Sequence, residues 1–192
     1  MALTASTSFA ARATRCVSAA SLLLTLGCGG SGGSPTAPSP AAPAASFAVS
    51  TFSFTSDPQD FIARGESHVF TLENARIVGN VARSGALISV AVQPRGDPPA
   101  PEWSLLVIAP TGRIAPGTYE TTRFNTVTTY GMDFVWSQRM CNTAAGHLVI
   151  HSVEFAPDLL SLRHFRASFE NHCNGSSAAV HGEVAVLADP VR

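Results

Sequence analysis

LRHFRASFE, residues 162–170, changes character at every step. In an extended chain Arg163, Phe165, Ala167 and Phe169 share one face, and Leu162, His164, Arg166 and Ser168 share the other. Phe165, Ala167 and Phe169 then point inward, while the second face is mostly wet. A period of two marks a half-buried β-strand; an amphipathic helix would need 3.6.

The same period recurs along the chain. Residues 47–55 (FAVSTFSFT), 68–72, 86–92 (ALISVAV), 104–109, 119–124, 132–140, 147–155 and 180–187 read as further strands, rich in β-branched and aromatic side chains. Turn chemistry separates them, at Asp57-Pro58, Arg64-Gly65, the Pro-rich run 94–101, Ala115-Pro116-Gly117 and Pro157-Asp158. No window of a dozen residues carries an apolar stripe at helical spacing. The expected fold is therefore all-β, an antiparallel β-sandwich or a β-barrel-like alternative of about eight to ten strands. Within HLVIHSVEF, residues 147–155, Leu148 and Ile150 oppose Val149 and Val153, so this strand reads as covered on both sides.

The N-terminus predicts export. Arg12 and Arg15 lie in a segment without acids, an apolar run follows from Val17 to Leu26, and Gly27-Cys28 closes it. A basic segment, an apolar stretch of roughly ten residues and a small residue before the cut make a secretory signal peptide. The run is too short for a bilayer, which takes about 20 apolar residues. LTLGC, residues 24–28, resembles a bacterial lipobox, with Thr25 at a position where leucine is usual. The resemblance implies that Cys28 is lipidated and becomes the mature N-terminus, and Gly29 after it resembles lipoproteins sent to an outer membrane. Gly29 to Ser46 is uncharged and almost entirely Gly, Ser, Pro and Ala, the composition of a flexible tether. The expected organisation is a signal peptide at 1–27, a lipidated cysteine and tether at 28–46, and one domain at 47–190.

Composition narrows the function. All twelve basic residues are arginine. With no lysine, the chain has no Schiff-base lysine, no phosphate-loop lysine and no Ser–Lys nucleophile pair. Without Arg12 and Arg15, ten arginines face thirteen acids, a net charge of −3. No basic stripe marks a nucleic-acid surface.

Cys141 and Cys173 are the cysteines of the folded part. In an exported chain an even pair reads as a disulfide. The competing reading is a Cys–His nucleophile, because His172 precedes Cys173, but neighbouring strand residues point to opposite faces. His147 and His151 have the i, i+4 spacing of helical metal ligands, yet in a strand they stand about 13 Å apart, too far to share one ion. Across a hairpin turning at Pro157-Asp158, His151 could approach His164. Glu154 and Glu170 could face each other near one end of that hairpin, with no cleft identified. GGSGG, residues 29–33, matches the serine-hydrolase elbow only in composition, since that serine needs a strained strand-to-helix turn. Trp103, Tyr119, Tyr130 and Trp136 are more economically core than a sugar-stacking platform. The residues thus nominate no catalytic set, no metal site and no cofactor. His172, His151 and His164 are the candidate binding residues.

The C-terminal half, CNTAAGHLVIHSVEF followed by LRHFRASFENHCNGSSAAVHGEV, resembles a domain recurring in exported bacterial proteins. Cys141-Asn142, Gly146, Phe165, Ala167, Phe169, Glu170, His172, Cys173, Gly175 and Gly182 fall on its pattern, and Asn171 stands where glutamine is usual. The resemblance implies an all-β exported domain with a Cys–Cys bridge and nothing catalytic. The expectation is a lipid-anchored extracytoplasmic protein of the cell envelope, structural or binding in role, with the membrane and an envelope glycan or protein as partners. The alternative is a secreted or anchored hydrolase or metal-dependent enzyme using histidines near the disulfide.

Overall fold

The computed structural model describes residues 49–98 and 100–187; the expected signal peptide, Cys28 and tether lie outside them. The described residues form ten strands: β1 Thr51–Ser56, β2 Ser67–Thr71, β3 Ala75–Ala82, β4 Leu87–Pro94, β5 Trp103–Ile108, β6 Gly117–Thr122, β7 Tyr130–Trp136, β8 Ala144–Phe155, β9 Leu162–Cys173 and β10 Ala179–Leu187. They make one sheet in the order β2-β1-β10-β9-β8-β6-β7-β5-β4-β3. Every pairing is antiparallel except a short parallel one, where Thr121 and Thr122 of β6 lie beside Tyr130 and Gly131 of β7. The fold is all-β, and the sheet curls over until its edges nearly meet, the barrel-like form of the expected architecture.

The two edge strands, β2 and β3, are consecutive in the chain, and Asn74 between them ties off one edge. Its Nδ2 donates to Val69 O at 3.0 Å, and its Oδ1 accepts from Thr71 N–H at 2.8 Å. Those edge groups of β2 are thereby occupied, which protects against pairing with a foreign strand. β3 is the strand that residue pattern misses. Its sequence ARIVGNVA carries Gly79 and Asn80, both poor strand formers. The glycine has a packing cause: a Cβ there would stand 2.9 Å from Leu162 Cδ2 and 2.9 Å from Val186 Cγ1. β3 lies that close to β9 and β10 across the interior.

Aromatic rings fill the space between the two halves of the curled sheet. Phe52 stacks on Phe134 with centroids 6.3 Å apart, Phe54 meets Trp103 at 4.5 Å, and Phe134 meets Phe169 at 5.6 Å. Trp103 and Tyr130 are buried, Tyr119 stacks on Tyr130 at 3.9 Å, and the Arg139 guanidinium covers Trp136 at 4.2 Å. These aromatics form the core and its rim. Cys141 and Cys173 are joined with Cα atoms 5.2 Å apart, and both are buried. On the chain-entropy account, closing a loop of this length stabilises the fold by roughly 3–4 kcal/mol.

β8 and β9 correct two details of the strand reading. A bulge between Ile150 and Ser152 adds a residue to β8, so Val153 turns inward with Leu148 and Ile150 while Val149 stays outside. The mixed pattern of residues 147–155 records that bulge and not burial on both sides. A second irregularity between Glu154 and Phe155 pairs Phe155 with Leu162, which is buried, and leaves Arg163 exposed.

Gly146 of β8 sits opposite Asn171, and a Cβ there would collide with the Glu170 carbonyl of β9. β8 is held between β6 and β9 and has no free direction to move. Gly146→Ala should therefore destabilise the domain by about 3 kcal/mol, the cost of overpacking a fixed site. Urea denaturation of the two proteins measures it, and an unchanged midpoint would show that β8 yields.

Candidate functional site

Alternation along β9 sends Phe165, Ala167, Phe169, Asn171 and Cys173 inward and His164, Arg166, Ser168, Glu170 and His172 outward. Adjacent strands extend this outer face. The register places His181 of β10 and His147 of β8 on either side of Glu170, and Glu120 of β6 beside His147. A cross-strand row therefore reads His181, Glu170, His147, Glu120, with acid and imidazole alternating. One step along, Glu183 and Ser168 form the next pair.

Contacts follow the register. His147 Nδ1 lies 3.1 Å from Glu120 Oε1, and His181 Nδ1 lies 3.4 Å from Glu170 Oε2. His172 Nε2 is hydrogen-bonded to Glu170 Oε1 at 2.8 Å. Glu170 is thus gripped from its own strand and from β10. An open groove of about 650 Å³ runs over this face, bounded by Ser53, Thr55, His147, Ser168, Glu170 and His181. Hydroxyls, imidazoles and carboxylates are its polar groups.

The structure separates the three nominated histidines. His172 points outward and Cys173 inward, as strand alternation requires. His151, the bulge residue, has Nε2 3.0 Å from Ser168 Oγ. His164 lies opposite Glu154, with Nδ1 3.4 Å from Glu154 Oε2. His151 and His164 do not meet, because Arg166 intervenes and each ring has turned to its own partner. Glu154 and Glu170 do not face each other either; they belong to opposite ends of the β8–β9 hairpin, paired with His164 and His147. Residue pattern missed His181 and the role of Glu120. Their signal was present in the strand alternation, but register alone connects it across strands.

Proximity of Ser168 and His151 resembles a nucleophile and base. Hydrolysis also needs donors for the oxyanion. Ser168 sits mid-strand in β9, paired with Glu183 on one side and Val149 on the other, so its neighbouring backbone N–H groups are committed to the ladder. Among the described residues no group of three or more His, Cys, Asp or Glu is placed to hold one metal ion. The face offers a row of paired imidazoles and carboxylates that can donate and accept hydrogen bonds.

Electrostatics concentrate at Glu170. The hydrogen bond from His172 lowers its pKa, helped by the charges of His181, His172 and His147 against some desolvation. The same bond raises the pKa of His172. Elsewhere burial raises Asp133, partly offset by Arg123, and burial with the Tyr119 hydrogen bond pushes Tyr130 up to about 12.

No protein family, curated protein or solved structure matches the chain.

Linkage gives the Glu170–His172 pair a defined pH window. A raised histidine contributes stability below its ordinary value of 6.5 and loses it as pH rises through the raised value. A lowered carboxyl contributes above its ordinary value of 4.5 and loses it as pH falls through the lowered value. Both contributions are present between pH 4.5 and 6.5. His172→Gln should cost less than about 1 kcal/mol near pH 5.5, as befits a part-exposed pair, and less still at pH 8.5. Denaturant titrations at the two pH values measure this, and an equal effect at both would reject the ion pair.

Proposed function

We propose that this chain is a lipid-anchored extracytoplasmic binding protein of the cell envelope, and that the outer face of β8, β9 and β10 is its binding surface. The anchor is Cys28, supported by the apolar run before it and the uncharged tether after it. The Cys141–Cys173 bridge suits an oxidising compartment. An exported bacterial all-β domain with a Cys-Asn … Phe-Glu-x-His-Cys pattern is the family it resembles.

One observation carries the binding role. Five of the six histidines, His147, His151, His164, His172 and His181, stand on a single solvent-facing side of three adjacent strands. Each has a glutamate or serine partner: Glu120, Ser168, Glu154, Glu170 and Glu170 in that order. Core formation gives no reason for this, since the core lies on the other side of the same strands. The tryptophans and tyrosines are committed to the core and its rim, so the face engages its partner through hydrogen bonds and charge. An envelope glycan or an envelope protein presenting polar groups fits that chemistry.

The test combines anchor and face. Wild type should label with a fatty-acid probe and retain an envelope partner in pull-downs, while Cys28→Ala should lose the label. The combined variant Glu170→Ala, His147→Ala, His181→Ala should keep its label and its β-rich circular dichroism but lose at least nine-tenths of the captured partner. Persistent labelling of Cys28→Ala would refute the anchor; undiminished capture by the face variant would refute the binding surface.

A further inference from the structure

We infer that the β8–β9–β10 face is a proton-switched dock for a linear carboxylated polysaccharide, closed to it at neutral pH and open in mildly acidic surroundings. This inference rests on the reading of that face as the binding surface.

Charge on the face is poised to reverse. β9 contributes Arg163, His164, Arg166, Glu170 and His172; β8 contributes His147, His151 and Glu154. β10 adds His181 and Glu183, and β6 adds Glu120. The neighbouring outer positions of β1 and β2, Ser53, Thr55, Ser67 and Val69, are uncharged, and the groove's remaining titratable group, His68 of β2, is paired with Glu66 at 2.8 Å. With neutral imidazoles, two arginines against four glutamates leave the face at −2. Five imidazolium groups take it to +3. Histidine ordinarily gains its proton between pH 5 and 8, while carboxylates stay ionised above about pH 5.

Hydrogen-bond polarity reverses as well, at two defined atoms. His147 and His181 each turn Nδ1 to a glutamate oxygen, at 3.1 and 3.4 Å. A neutral ring so placed keeps its hydrogen on Nδ1, because a lone pair facing a carboxylate would be repelled. Nε2, with no partner among the described residues, is then an acceptor and repels an incoming carboxylate. Protonation places a hydrogen on Nε2 and makes it a charge-assisted donor. These two rings flank Glu170 in one row and border the 650 Å³ groove, and each side chain is 54% exposed. Proton uptake thus changes the same two atoms from repelling to binding carboxylate.

The occupant follows from spacing and from what the face lacks. Adjacent strands are about 4.8 Å apart, so the two switching rings, on β10 and β8 with Glu170 between them, stand about 10 Å apart and suit a ligand whose acids repeat at that interval. A membrane surface would also require apolar side chains to insert. The exposed large hydrophobics among the described residues are Val49, Phe61, Val69, Leu72, Phe124, Val127, Met140 and Leu160; none is on β8, β9 or β10, and of these Val69 alone borders the groove, one valine where membrane insertion takes an apolar face.

Polygalacturonate is the probe, with the full-length protein assayed at pH 5.0 and 7.5 and constant ionic strength. Wild type should bind at least tenfold tighter at pH 5.0. His147→Gln with His181→Gln, checked for an unchanged thermal midpoint, should retain no more than a threefold difference between the two pH values, the share left to His151, His164 and His172. Glu102→Gln, an exposed charge change before β5 and away from this face, should keep the full switch. Absent or pH-independent binding by wild type would overturn the inference, as would a full switch in the double variant. Equal acid-induced binding to phosphatidylglycerol vesicles would overturn the polysaccharide assignment. If polygalacturonate fails while the face variant still loses its envelope partner at neutral pH, the binding surface stands and only the switch falls.

Discussion

The pairing of β8 with β9 is the constraint on which everything else depends. Two twelve-residue strands run antiparallel from Ala144 opposite Cys173 to Phe155 opposite Leu162. Side-chain period in a strand is two, so a slip of one residue would exchange the inner and outer faces. The register must therefore satisfy core and surface together. Inward it delivers Leu148, Ile150, Phe165 and Phe169 to the aromatic cluster; outward it sets Glu170 against His147. Gly146, the disulfide and the bulge at His151 hold that register at three points along the hairpin.

Contact between the two halves of the sheet is dense where rings meet and close where they are absent. Phe52, Phe134 and Phe169 keep the halves apart near the middle. Gly79 lets β3 approach Leu162 and Val186 at the open side. Asn74 then closes off the β2 edge with side-chain hydrogen bonds in place of a further strand. Among the described residues four buried side-chain polar atoms remain without a protein partner: Asp60 Oδ2, Thr121 Oγ1, Asp133 Oδ1 and Asn171 Oδ1. Thr121 and Asn171 flank Gly146 in the ladder, so the interior at that end of the hairpin is polar despite the disulfide.

How much of this was legible in residue pattern varied with the kind of information needed. Nine strands show themselves by alternation and turn chemistry, because burial of one face selects apolar residues at every second position. β3 does not, because its close approach selects glycine where the pattern needs a large side chain. Strict alternation puts Leu162 and Val153 on the wrong faces for a related reason. A bulge shifts the phase of alternation by one residue, and nothing in HLVIHSVEF marks where the extra residue enters. Alternation alone puts His172 on the face opposite Cys173, since that inference needs only neighbouring residues. His181, nine positions further on, joined the site only through the ladder.

Sequence by itself determined the all-β class, most of the strands, the hairpin turn at Pro157-Asp158 and the cysteine pair available for bridging. These depend on local periodicity and on which residue types are present. Tertiary structure decided that the sheet closes almost into a barrel, that His151 and His164 part company, and that Glu170 lies between two imidazoles. Such facts depend on register between strands and on the phase shift of two bulges. Register is set by the whole packed interior at once, so no single stretch of chain contains it.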